Sequence, residues 1–285
     1  VDDALSCATS LSAVSSNLTL IPNGNITFAG VAPSCSVTVT PATSQVGSSN
    51  ITVTVSDGHG GSSNVVFAIQ VNVLLSQEAY IKAANSEAND NFGVSLAVSG
   101  DTLAVGATLE DSNQAVITNG TGASTNNTSL SSGAVYVYKR NGSAWAQEAY
   151  VKAANSGASD QFGYAVALYG DTLAVGAPFE DSNQTSITNG TTASADNSKV
   201  DTGAVYVYKR TSTSWAQEAF VKTLSGGSFG NSVALSGDTM AAGSSAESSN
   251  QSTITNRPFV GTEKTKSSSG AVYVFRRAGS LWALE

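Results

Sequence analysis

From Gln77 the chain reads QEAYIKAANSEANDNFGVSLAVSGDTLAVGA, and from Gln147 it reads QEAYVKAANSGASDQFGYAVALYGDTLAVGA. A third, eroded copy starts at Gln217 as QEAFVKTLSGGSFGNSVALSGDTMAAGS. Self-similarity at a fixed period means a repeat architecture, in which each unit buries its apolar face on a neighbour rather than on itself. Within each copy, valines, alanines and threonines alternate with small polar residues, and no apolar spacing of helical period is sustained, so the units read as strands. Charged residues are only 12% of the 285 and their place is taken by Ser, Thr, Asn and Gly, which fits short strands joined by turns. The fold class is all-β.

Residues 1–74 contain no copy of the repeat. They read as short strands, NLTLI, NITFAGV, CSVTVTPA, SNITVTVS and SNVVFAIQVNV, with turn residues between them. The pairs Asp-Gly and Gly-Gly in SDGHGG supply the positive-φ residues of a hairpin turn, and His59, the single histidine, falls in that turn. The only cysteines, Cys7 and Cys35, both flank strand-like runs. One local disulfide in an oxidising compartment is expected, with two buried thiols as the alternative. The segment from Ala4 through Gly58 and the valine-rich strand after it resemble the immunoglobulin-like or cadherin-like modules of large bacterial surface proteins. That resemblance implies a β-sandwich, here a short one with an edge left to cover.

The repeat region, 75–285, is expected to form three units at about 77–146, 147–216 and 217–285. In the second copy the strand-like runs are EAYVKAA, YAVALYG, TLAVGAP and GAVYVYKR, with SWAQ leading into the next copy. Four strands per unit is the grammar of a β-propeller blade. Phe92-Gly93, Phe162-Gly163 and Phe229-Gly230 recur in register with Gly106-Ala107-Thr108, Gly176-Ala177-Pro178 and Gly243-Ser244-Ser245. On these residues the region resembles the FG-GAP repeat, the blade motif of integrin α-chain propellers. The resemblance implies adhesion, recognition or scaffolding, with no inherent chemistry.

Many members of that family carry an Asp-rich calcium loop between the two motifs. This chain has only SGDT, YGDT and SGDT there, with one acid each at Asp101, Asp171 and Asp238. A single carboxylate cannot supply the six to eight oxygens calcium takes, so these aspartates are read as turn formers and no cofactor is expected. The chain's length goes instead into a loop after the GAP position, where SNQ…ITN recurs with identical spacing. Asp111 and Asp181 in those loops are the weak metal candidates, and the loops are the first place to seek a ligand. No nucleophile elbow, CxxC, HExxH or phosphate loop occurs. A net charge of −8 argues against nucleic acid, and no apolar run reaches the ~20 residues of a membrane helix.

The chain opens at Val1-Asp2-Asp3, as a mature secreted protein or an excerpt of a longer one would, and LWALE at its end aligns with AWAQE and SWAQE at the copy junctions. Three blades leave two apolar faces bare. The expectation is a non-enzymatic, secreted or cell-surface structural protein whose partners are other copies of itself, with Val1, Trp282 and Leu284 at the contact. The alternative is an adhesin whose propeller loops bind a cell-surface protein or glycan.

Overall fold

The computed structural model describes residues 6–56, 60–72, 77–224, 226–256 and 263–285. The chain divides into two compact units, Val1–Gln77 and Glu78–Glu285. Val1 and His59 lie outside the described residues.

In the first unit a single helical turn, Cys7–Ser10, leads into β1 (Leu11–Ser15). A hairpin follows, β2 (Ile26–Val31) with β3 (Ser34–Val39), and then a long one, β4 (Gly47–Ser56) with β5 (Ser62–Val71). β4 is central in the three-stranded sheet β1-β4-β5, and β2-β3 is the second sheet. Leu20, Ile21, Ile26 and Ile51 form the buried centre, with Phe28, Val39, Val53, Phe67 and Ile69 packed around it. That core is small, and the Cys7–Cys35 disulfide ties the helical turn to β3 across a Cα–Cα distance of 5.6 Å. By chain entropy such a crosslink contributes about 3–4 kcal/mol.

One strand expectation fails here. NLTLI is a turn: the Asn17 side chain accepts from Leu20 N at 3.1 Å, and its carbonyl accepts from Ile21 N at 2.9 Å. An asparagine offering the backbone a local partner overrode the apolar alternation.

The second unit holds three antiparallel sheets. The first is built from β6 (Phe92–Ser99), β7 (Thr102–Ala107), β9 (Ala134–Asn141) and β10 (Ala144–Val151), with the two-residue β8 (Thr118–Asn119) added outside β10. The second repeats this with β11 (Ala165–Tyr169), β12 (Thr172–Ala177), β14 (Ala204–Thr211), β15 (Ser214–Val221) and β13 (Thr188–Asn189). The third has four strands, β16 (Phe229–Ser236), β17 (Thr239–Ser244), β18 (Ala271–Ala278) and β19 (Leu281–Leu284).

These sheets are offset from the sequence copies. The run at Gln147, expected to open the second unit, is the second half of β10 and closes the first sheet; Ala144–Val151 is one strand. A β-bulge explains why it reads as two. Gln147 pairs with Tyr138 and Ala149 with Val137, so Glu148 is the extra residue and the alternation slips there. The same bulge extrudes Glu218 in β15. In the first copy, residues 77–83 belong to no sheet.

Candidate functional site: the junctions between blades

The FG and GAP motifs meet across the junction of successive sheets. A Cβ on Gly106 would stand 2.1 Å from the carbonyl oxygen of Gly163, and one on Gly176 would stand 1.9 Å from that of Gly230. Only glycine lets the two backbones approach so closely. Phe162 N donates to Ser132 O at 3.0 Å and Phe229 N to Thr202 O at 3.2 Å, so each FG backbone is pinned to the preceding sheet. Around them Val135, Val137, Val151, Phe162 and Val175 form one buried cluster, and Val205, Val207, Val221, Phe229 and Ala242 form the next.

The extruded glutamates fasten the rim of each junction. Glu148 Oε2 accepts from Arg210 Nη1 and from Trp215 Nε1, both at 2.9 Å, and the guanidinium lies over the Trp215 ring at 5.2 Å. Arg210 also forks onto Asp171 and donates to Thr102 Oγ1 at 3.0 Å. Glu218, Arg277, Trp282, Asp238 and Thr172 repeat the arrangement one junction on. Asp101, Asp171 and Asp238 therefore do more than turn the chain: each holds an arginine, and Arg140 keeps the Asp101 carboxyl below its usual range. In each it is Oδ1 that takes both the Nε and the Nη2 of the arginine.

The long loops serve the same junctions. Asn119 accepts from Trp215 N at 2.7 Å and donates to Trp215 O, and Asn189 does so with Trp282. Gln114 and Gln184 brace the loop on Thr118 and Thr188. The recurrent SNQ…ITN is thus a strap from one sheet to the next. Asp111 Oδ1 accepts from Ser131 N at 2.6 Å and Asp181 Oδ1 from Asp201 N at 2.8 Å, which makes both loop staples. Among the described residues no group of three or more His, Cys, Asp or Glu could hold a metal ion.

Trp282, expected as an anchor for another copy, is 2% exposed and spent within its own chain on Glu218 and Asn189. Leu284 is half-buried and packs at the edge of the third sheet's core.

Sequence reading missed one pair. Lys152 Nζ, fully buried, lies 2.9 Å from Glu110 Oε2 and 2.8 Å from Ser132 Oγ; Lys222 repeats this with Glu180 and Thr202. Burial pulls both ammonium groups down in pKa while the glutamates pull them up. The signal was present as the lysine of EAYIKAA, EAYVKAA and EAFVKT and the glutamate at Glu110, Glu180 and Glu247 after the GAP position, each recurring in all three copies. These ions are paired with each other and with hydroxyls, an arrangement that locks a loop to a strand.

Comparison with protein families agrees with this geometry. A bacterial Ig domain matches residues 1–70, and the FG-GAP repeat matches residues 75–138 and 145–208. Comparison with curated proteins finds no match. The third sheet lies beyond the matched residues and keeps the strand pairings of the other two from Phe229 to Leu284. Both families are typical of extracellular, surface or adhesion-type proteins and are typically non-catalytic. No helix among the described residues is long and apolar enough to cross a membrane. The chain carries a bacterial Ig domain followed by FG-GAP repeats.

Proposed function

We propose that this is a non-enzymatic, extracellular structural protein whose blades associate between copies to build a surface filament or scaffold. One observation carries the reading: two apolar blade faces that the chain covers elsewhere are bare. Val166 and Leu168 on β11, and Val233 and Leu235 on β16, pack on the preceding sheet, whereas their counterparts Leu96 and Val98 on β6 are exposed, Leu96 at 62%. On the other side, Val135, Val137, Val205 and Val207 are fully buried, whereas Val272 is 70% exposed and Val274 is also exposed. Burying such complementary patches between copies is favourable, and leaving them in water invites association.

Light scattering of the purified protein, with negative-stain imaging, tests this. Concentration-dependent association into rings or filaments is the expected result, and a monomer persisting at high concentration overturns it. The adhesin reading draws support from the exposed apolar residues of the long loops, Val116, Leu130, Val200 and Ile254. It would be favoured by a monomer that binds a cell surface.

A further inference from the structure

Both straps that clasp a tryptophan do so through a chemically labile pair. Asn119 is followed by Gly120, and Asn189 by Gly190. Glycine has no side chain to shield its backbone nitrogen, so that nitrogen can attack the asparagine Cγ, close a succinimide ring and expel the amide nitrogen as ammonia. Water then opens the ring and leaves aspartate or isoaspartate. The strap needs both residues. Each asparagine gives an acceptor and a donor to the backbone of one tryptophan, and the glycines have φ of +108° and +117°, where a side chain is strained.

The fold holds these pairs unreacted. β8 and β13 keep Asn119 and Asn189 extended, opposite Ala149 and Ala219. The attacking nitrogens are engaged: Gly120 N donates to Glu148 O and Gly190 N to Glu218 O, both at 2.6 Å. The carboxamides they would attack are held away from them, with Oδ1 accepting from Trp215 N at 2.7 Å and from Trp282 N at 2.8 Å. Gln147 Nε2 and Gln217 Nε2 fix the glycine carbonyls as well, at 3.3 and 3.2 Å. Both asparagines are exposed, so water has access and the hydrogen bonds are the protection. A junction that opens takes the tryptophan away. A two-residue strand released from that clasp then frays, and its glycine nitrogen becomes free to turn on the carboxamide.

We propose that Asn119 and Asn189 are deamidation sites gated by the blade junctions, and that deamidation makes the opening of a junction permanent. The product carries a carboxylate oxygen where Nδ2 donated. That oxygen faces the carbonyl of Trp215 or Trp282, acceptor against acceptor, so the clasp does not re-form. Isoaspartate adds a further misfit, because it lengthens the main chain inside a strand that must stay in register with Ala149 or Ala219. Each junction thus carries its own one-way release, which acts within a single chain and does not depend on the self-association proposed above.

The test incubates the full chain in mildly alkaline buffer, folded and in urea, and follows each asparagine by peptide mapping. Conversion at Asn119 and Asn189 is expected to be about tenfold slower, or more, in the folded chain than in urea. Gly106→Ala disturbs the first junction and Gly176→Ala the second. The first is expected to speed Asn119 about tenfold and leave Asn189 at the wild-type rate, and the second to do the reverse. Glu148→Gln and Glu218→Gln, milder changes at the rims of the same junctions, are expected to give the same crossed pattern if either alanine variant fails to fold. Equal rates in the folded chain and in urea overturn the gating, and acceleration of both sites alike by a folded variant overturns release junction by junction. Asn189→Asp supplies the product directly. Limited proteolysis is expected to cut its strap, residues 187–193, sooner than in the wild type, and an unchanged cleavage rate overturns the one-way release.

Discussion

The second and third blades are written in nearly the same residues and end in different states. Both place an FG glycine on the sheet before, both seat a tryptophan under an arginine, and both strap that tryptophan with an asparagine from the previous loop. The second blade also has a following sheet. Its Phe220 is fully buried, its Val205 and Val207 are covered, and its Lys222 reaches Glu180. The third shows Val272 to solvent at 70% and leaves Val274 exposed as well. Most of what buries a blade here comes from its neighbour, so a repeat is only as stable as the junctions it has on either side.

Several substitutions would break or sharpen that contrast. The largest effect is expected from Phe220→Ala, which empties a fully buried site and should cost about 3–5 kcal/mol in urea unfolding, against about 1 kcal/mol for Leu284→Ala at the half-buried edge. Equal costs for the two would mean that the third blade is packed as well as the second. Lys222→Ala leaves Glu180 buried without its ion and is also expected to cost about 3–5 kcal/mol. A Glu180→Gln/Lys222→Met double variant should recover much of that, and failure to recover would show that the charge itself matters.

Gly176→Ala forces a methyl group against the Gly230 carbonyl and should lower stability by about 1–3 kcal/mol, with Gly243→Ala near neutral in the isolated chain. A separate effect concerns pH. Burial, opposed by a bond from Gly157 N and helped by Glu180, raises the Asp160 carboxyl from its ordinary 3.8 to about 7, and the third copy has Gly226-Gly227-Ser228 and no acid there. The folded carboxyl keeps its proton up to about pH 7, while the unfolded one releases it near 3.8. Unfolding therefore releases a proton between those values, and stability should fall as pH rises through that window. Asp160→Asn should flatten the fall, and an unchanged slope would place the linkage elsewhere.

The architecture was legible because repetition and alternation are properties of sequence. Gly106 and Gly176 stood out in the sequence as a recurrent motif, but the carbonyls they meet, on Gly163 and Gly230, belong to the next copy and are visible only in the fold. The copy boundary misled because Glu148 and Glu218 interrupt the alternation, and a bulge looks like an end when only one strand is in view. The strap was read as a ligand loop because Asn119 and Asn189 meet their partners, Trp215 and Trp282, 96 and 93 residues away. Trp282 was read as an anchor for another chain for the same reason: an indole that needs a cover does not say whose cover it has.

The offset between sequence copy and sheet has a genetic consequence. Recombination between copies at Gln147 and Gln217 would remove a whole period and join Ala144–Ala146 directly to Gln217–Val221, restoring a full outer strand with its bulged glutamate in place. Gain of a period works in the same way. The boundary lies inside a strand, and the joined strand keeps its bulge and its place beside the neighbouring glycines, so the number of blades can change by whole periods.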